Sequence, residues 1–106
     1  MQPASKGSLG PDVVSAIIEA KHDLLRHTDA TPVLKRYEGK EISDPDMGRP
    51  GTNFFEKQVG QARPGDSLGT TGRRRLVLKV QSGRIVAMLF TDRHYKPGSW
   101  VRIVDF

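Results

Sequence analysis

Two β-rich runs held a short link apart constrain this chain more than any other feature. Leu76-Val77-Leu78-Lys79-Val80 leads through Gln81 to Ser82-Gly83, and Arg84-Ile85-Val86-Ala87-Met88-Leu89-Phe90-Thr91 follows at once. Branched and long apolar side chains suit a pleated surface, and two such runs joined through a short Gly-containing link read as an antiparallel hairpin. In the first run Leu76, Leu78 and Val80 point one way, while Arg73, Arg75, Val77 and Lys79 point the other, because side chains alternate along a strand. The second run is apolar on both faces, as expected of a central strand. Arg73, Arg74 and Arg75 stand at the entrance of the hairpin, and Asp92-Arg93-His94-Tyr95 stands at its exit.

The rest of the chain supplies what packs on that hairpin. Residues 1–10 are small, polar and Gly-containing, and are expected to be a loose lead-in to a single domain over residues 11–106. Pro11 in a first turn, with Asp12 near the positive end of the dipole, predicts a helix start, and the helix runs to about His27. Val13, Ile17, Ala20 and Leu24 recur at helical spacing, and Val14, Ile18 and Leu25 widen the stripe. Lys21 falls within that wider stripe, so it either snorkels outward or reaches a site. Thr28 to Pro32 ends the helix, and Val33 to Tyr37 is a short first strand. A polar loop from Glu38 to Thr52 follows, too long to be a mere connection and therefore a candidate ligand holder. Asn53 to Gly60 is the next strand, with Phe54, Glu56 and Gln58 on one face and Phe55, Lys57 and Val59 on the other. Gln61 to Gly72 is a second Gly-rich loop, and Trp100 to Asp105 is a last strand with Val101 and Ile103 inward. The order predicts an α+β fold, an N-terminal helix packed on a four- to five-stranded antiparallel sheet. Glu56, Arg73 and Arg75 would then share the face that the helix leaves uncovered.

Composition excludes several function classes. With 106 residues, 36% of them hydrophobic, the chain holds one modest core and folds as one domain. Cysteine is absent, which removes disulfides, thiolate metal sites and cysteine nucleophiles together. The longest unbroken apolar run, Ile85 to Phe90, is far too short to cross a bilayer, so no membrane partner is expected. His22 and His27 have no third ligand at a suitable spacing, and Asp44-Pro45-Asp46 lacks the partners of a calcium loop, so neither metal nor cofactor is expected. The formal charge is +5, but its distribution matters more: residues 63–106 hold nine Lys/Arg against three Asp/Glu, and residues 1–62 hold eight against nine. The positive charge therefore sits with the hairpin, and a polyanion is the natural partner.

Cleaving an RNA strand without a metal needs a base for the 2′-hydroxyl proton and an acid for the departing 5′-oxygen. Cations must also steady the charge on the pentacoordinate phosphorus. Glu56 is the candidate base, His94 the candidate acid and Arg75 the phosphate clamp, with Tyr95 either bonding a phosphate oxygen or packing. Arg73, Arg74 and Lys21 are further candidates for contacts to the RNA backbone. A different class stays open: a non-catalytic RNA- or DNA-binding module using Arg73 to Arg75, Arg84 and Lys79, with Tyr37, Tyr95 and Trp100 stacking on bases.

The order of Phe55-Glu56, Gly72-Arg73-Arg74-Arg75-Leu76 and Thr91-Asp92-Arg93-His94-Tyr95 resembles the barnase-type microbial ribonucleases. The resemblance covers roughly residues 33–106 and implies a helix on a five-stranded antiparallel sheet. It implies Glu56 as general base, His94 as general acid, Arg75 on the phosphate and Tyr95 as auxiliary. Arg93 stands between Asp92 and His94, where the family has the His directly after the Asp, and Thr71 stands where a second arginine is usual. Arg36-Tyr37-Glu38-Gly39-Lys40 is similar to the family's base-recognition loop without its leading Asn, which implies Glu38 on a guanine edge and Tyr37 stacked on a base. Divergent members include toxin domains of larger bacterial proteins. The resemblance thus implies secretion or delivery into a target cell as part of such a protein, RNA as substrate and an acidic immunity protein as inhibitor. The chain is expected to be a monomer when free.

Overall fold

The computed structural model describes residues 1–39, 41–60, 73–93, 96 and 98–106. Its elements run β1 (Gln2–Ala4), a 3₁₀ turn (Lys6–Leu9), α1 (Pro11–Arg26), β2 (Lys35–Arg36), β3 (Thr52–Gln58), β4 (Arg75–Gln81), β5 (Arg84–Thr91) and β6 (Val101–Ile103). Among the described residues the fold is α+β, one N-terminal helix with an open six-stranded sheet of order β1-β6-β5-β4-β3-β2. β2 to β6 form an antiparallel meander, as expected, whereas β1 lies parallel to β6, so the sheet is mixed and larger than predicted.

That parallel edge strand lies within residues 1–10, expected as a loose lead-in. Gln2, Pro3 and Ala4 lie opposite Val101, Arg102 and Ile103. The Ala4 carbonyl accepts the Val104 N–H at 3.0 Å, and the Asp105 carboxylate accepts the Lys6 N–H at 2.7 Å. The last of these contacts spans 99 positions, so no local pattern announces the strand.

The helix forms where its pattern demands. Val13, Ala16, Ile17 and Ala20 are buried on one stripe and pack against Phe55, Val59, Leu76, Leu78, Val80, Met88, Phe90 and Ile103 from the sheet. It ends at His27, whose Nδ1 accepts the N–H groups of Val33 and Leu34, both at 3.0 Å. The imidazole edge also meets the Phe55 ring at a centroid distance of 4.7 Å. His27 therefore fastens the turn after the helix.

The hairpin has a two-residue turn with Ser82 at φ 52° and Gly83 at φ 75°. Two successive positive φ values are those of a type I′ turn, whose twist matches the flanking strands. Past it, Val80 pairs with Ile85 but Lys79 with Ala87, so Val86 is an extra, bulged residue.

A second apolar cluster lies on the other face of the sheet: Tyr37, Ile42, Phe54, Val77, Leu89 and Trp100, with Met47 against it. The long loop expected to hold a ligand packs Ile42 and Met47 into this cluster. Lys79 pins it, with Nζ 2.7 Å from Asp46 and 3.1 Å from Asp44. The hydrogen bond from Lys79 holds the Asp46 carboxyl below the usual carboxylate range, and the same bond raises Lys79.

Candidate active site

Strand register decides which side chains share the face opposite α1. Phe55 and Val59 lie under the helix, and Lys57 reaches it to pair with Asp23 at 2.9 Å and Glu19 at 3.4 Å. Glu56, between them, points away. On β4, Leu76 lies in the helix-side core and Arg74 bonds Asp12 of α1 at 3.1 Å, so Arg75 also points away. Glu56 faces Val77, and Gln58 faces Arg75. Glu56 and Arg75 are thus diagonal neighbours, a relation that spans roughly 7–8 Å and lies within reach of an arginine side chain.

Their settings differ. The Glu56 side chain is 15% exposed, with Oε1 3.3 Å from Nζ of Lys35, the residue opposite it on β2. Arg75 is buried, and its Nη1 donates to the Arg74 carbonyl at 2.9 Å, which fixes the guanidinium at the start of β4. Across β4–β5, Arg75 faces Thr91, the last residue of β5.

His94 and Tyr95 lie outside the described residues. The connection that carries them is described on both sides. Thr91 Oγ1 and Ser99 Oγ are 2.6 Å apart, the Ser99 hydroxyl donates to the Lys96 carbonyl, and the Arg93 N–H donates to Thr91 Oγ1 at 3.1 Å. Since the Ser99 proton goes to Lys96, Thr91 donates the shared bond. These bonds tie Arg93, Lys96 and Ser99 to the strand end that faces Arg75, and a depression of about 390 Å³ is lined by Asp92, Arg93, Lys96, Gly98 and Ser99.

Two expected site residues, Arg74 and Lys21, lie on the helix side of the sheet, and a third, Tyr37, shares the Glu56 face but is buried there. Arg74 is buried on the helix face and bonded to Asp12, because alternation turns it away from Arg73 and Arg75. Lys21 is exposed on α1, with the whole sheet between it and Glu56. Tyr37 is 3% exposed and its hydroxyl donates to Glu41 at 2.8 Å, so its ring is not available to stack on a base. Burial, reinforced by that bond to Glu41, pushes the Tyr37 phenol above its ordinary range. Arg73 is exposed just before β4. Glu38 is exposed at a depression of about 250 Å³ that Arg36, Gly48, Asn53 and Phe54 also line. For the binding-module alternative, Lys79 is held by two aspartates and Trp100 is 5% exposed within the second cluster.

Sequence reasoning passed over Lys35, which only the β2–β3 register places beside Glu56. Among the described residues no three His, Asp or Glu side chains gather to hold a metal ion, and no helix is long and apolar enough to cross a membrane. Comparisons with protein families, with curated proteins and with solved structures find no match.

Proposed function

We propose that this chain is an endoribonuclease that works without a metal ion, of the barnase type in its chemistry. The observation that carries this is the placement of Glu56 and Arg75 as diagonal neighbours on one face of the sheet. The connection bearing His94 leaves β5 at Thr91, opposite Arg75. Glu56 takes the 2′-hydroxyl proton as the 2′-oxygen bonds to phosphorus. Arg75 offers two N–H groups to the phosphate oxygens while charge builds there. The P–O5′ bond then breaks, and His94 gives a proton to the 5′-oxygen, leaving a 2′,3′-cyclic phosphate. Arg73 serves as a backbone contact, Tyr95 as an auxiliary to the phosphate and Glu38 as an acceptor on the base edge. In the biological setting that the family resemblance implies, the chain is a toxin domain of a larger bacterial protein, covered by an acidic immunity protein in the producing cell.

The test is incubation with RNA in excess chelator, resolved on a denaturing gel. Cleavage by the wild type and its loss in Glu56→Ala and His94→Ala support the assignment. Salt-sensitive binding without strand breaks would leave only a non-catalytic basic module. That alternative is weakened by the charges already paired internally, since Arg74 holds Asp12 and Lys79 holds Asp44 and Asp46.

A further inference from the structure

The two residues of β2 do different things. Arg36 donates to Asn53 at 2.8 Å and lies 5.9 Å from the centre of the Phe55 ring, so it braces the edge of the helix-side core. Lys35 turns to the other face and meets Glu56, with Nζ 3.3 Å from Oε1. Among the described residues, no other carboxylate lies within ion-pairing distance of Lys35. The Lys35 side chain is 80% exposed and that of Glu56 15%. A pair with one end in open water adds little to folding, so its use lies in what it does to the carboxylate.

The last torsion of a glutamate is broad and two-fold, so the carboxylate turns readily unless something holds one oxygen. Glu56 has a cation on either side, Lys35 opposite it and Arg75 diagonal to it. Swinging to Arg75 would bury the base against the group meant for the phosphate and silence both. We propose that Lys35 is the positioning residue for Glu56, holding Oε1 and presenting Oε2 to the 2′-hydroxyl of the RNA. The role rests on Glu56 being the general base. Lysine suits it because a single flexible ammonium holds one oxygen without covering the other, whereas a guanidinium fork engages both.

The experiment is steady-state cleavage of a dinucleotide by the wild type, Lys35→Ala, Lys35→Arg, Glu56→Gln and the Lys35→Ala/Glu56→Gln double variant, with melting curves for each. Lys35→Ala is expected to lower kcat about ten- to a hundredfold, with KM within about twofold, because the base is misaimed rather than the substrate released. Lys35→Arg restores part of the loss, and the double variant is no slower than Glu56→Gln, since one residue acts through the other. The melting curve of Lys35→Ala overlays the wild type. If Lys35→Ala raises KM and leaves kcat alone, Lys35 is a phosphate contact and the proposal fails. It also fails if Lys35→Ala is fully active while Glu56→Gln is dead, or if the double variant is slower than Glu56→Gln. An inactive wild type, or an active Glu56→Gln, overturns the ribonuclease assignment itself and this role with it.

Discussion

Replacing Ile42 by alanine, and separately Leu78 by alanine, asks whether the two faces of the sheet hold cores that open independently. Ile42 is 5% exposed in the cluster with Trp100, and Leu78 is 0% exposed in the core beneath α1. Each change removes the equivalent of three buried carbons, about 2.4 kcal/mol of transfer free energy at about 0.8 kcal/mol per methylene. Ile42 sits in a loop that can relax, so about 2 kcal/mol is expected there. Leu78 lies on a central strand that cannot close the gap, so about 3 kcal/mol or more is expected. The readout is amide exchange. The loop amides of Asp46, Met47, Arg49 and Thr52 are bonded within the loop or just beside it. If the loop lifts off alone, Ile42→Ala speeds these amides roughly thirtyfold, because its contacts are lost in that opening. Leu78→Ala leaves them unchanged, since its contacts survive there, yet it speeds the β4 and β5 amides by roughly a hundredfold or more through global unfolding. Equal acceleration of the loop amides in both variants would refute the idea, as would no acceleration in Ile42→Ala.

Other expectations follow from the same contacts. Ser82→Asn is expected to stabilise the hairpin turn by about 0.5 kcal/mol and Gly83→Ala to cost about 1 kcal/mol, because both positions need positive φ; urea midpoints check both. His27→Ala leaves the Val33 and Leu34 N–H groups without their acceptor and is expected to cost about 1–2 kcal/mol in the same assay. Arg74→Met is expected to lower the melting temperature while sparing kcat, since Arg74 braces Asp12 rather than RNA. Asp23 and Asp46 titrate below their ordinary value of 3.8: burial pushes Asp23 upward, but hydrogen bonds from Lys57 and Arg26 more than offset it, while Lys79 lowers Asp46. Stability from a depressed carboxylate is complete above its unfolded value and drains as pH falls through the folded one. The urea midpoint is therefore expected to drop below about pH 4, and less steeply in Lys57→Met.

What could be read along the chain was whatever local pattern decides. The hairpin, the helix stripe and the alternation of β3 and β4 follow from spacing alone, and so does the shared face of Glu56 and Arg75. Arg74 shows the same rule neglected: the alternation that joins Arg73 to Arg75 also sends Arg74 to the helix. Contacts between distant positions left no such trace. β1 pairs with a strand at the far end of the chain, and Asp44 and Asp46 look like idle loop acids until Lys79 is folded over them. Tyr37 reads as a surface aromatic among charges, yet Glu41 takes its hydroxyl and lets the ring sink. Lys35 becomes the partner of Glu56 only through strand register.

On the proposed reading, Glu56 and Arg75, with His94, break RNA by internal attack. Phosphorus-31 NMR of a dinucleotide incubated with the protein in excess chelator tests it most directly. A growing 2′,3′-cyclic phosphate signal is expected with the wild type and none with Glu56→Gln. An unchanged spectrum with the wild type, a product ending in a 5′-phosphate, or undiminished turnover by Glu56→Gln would contradict it.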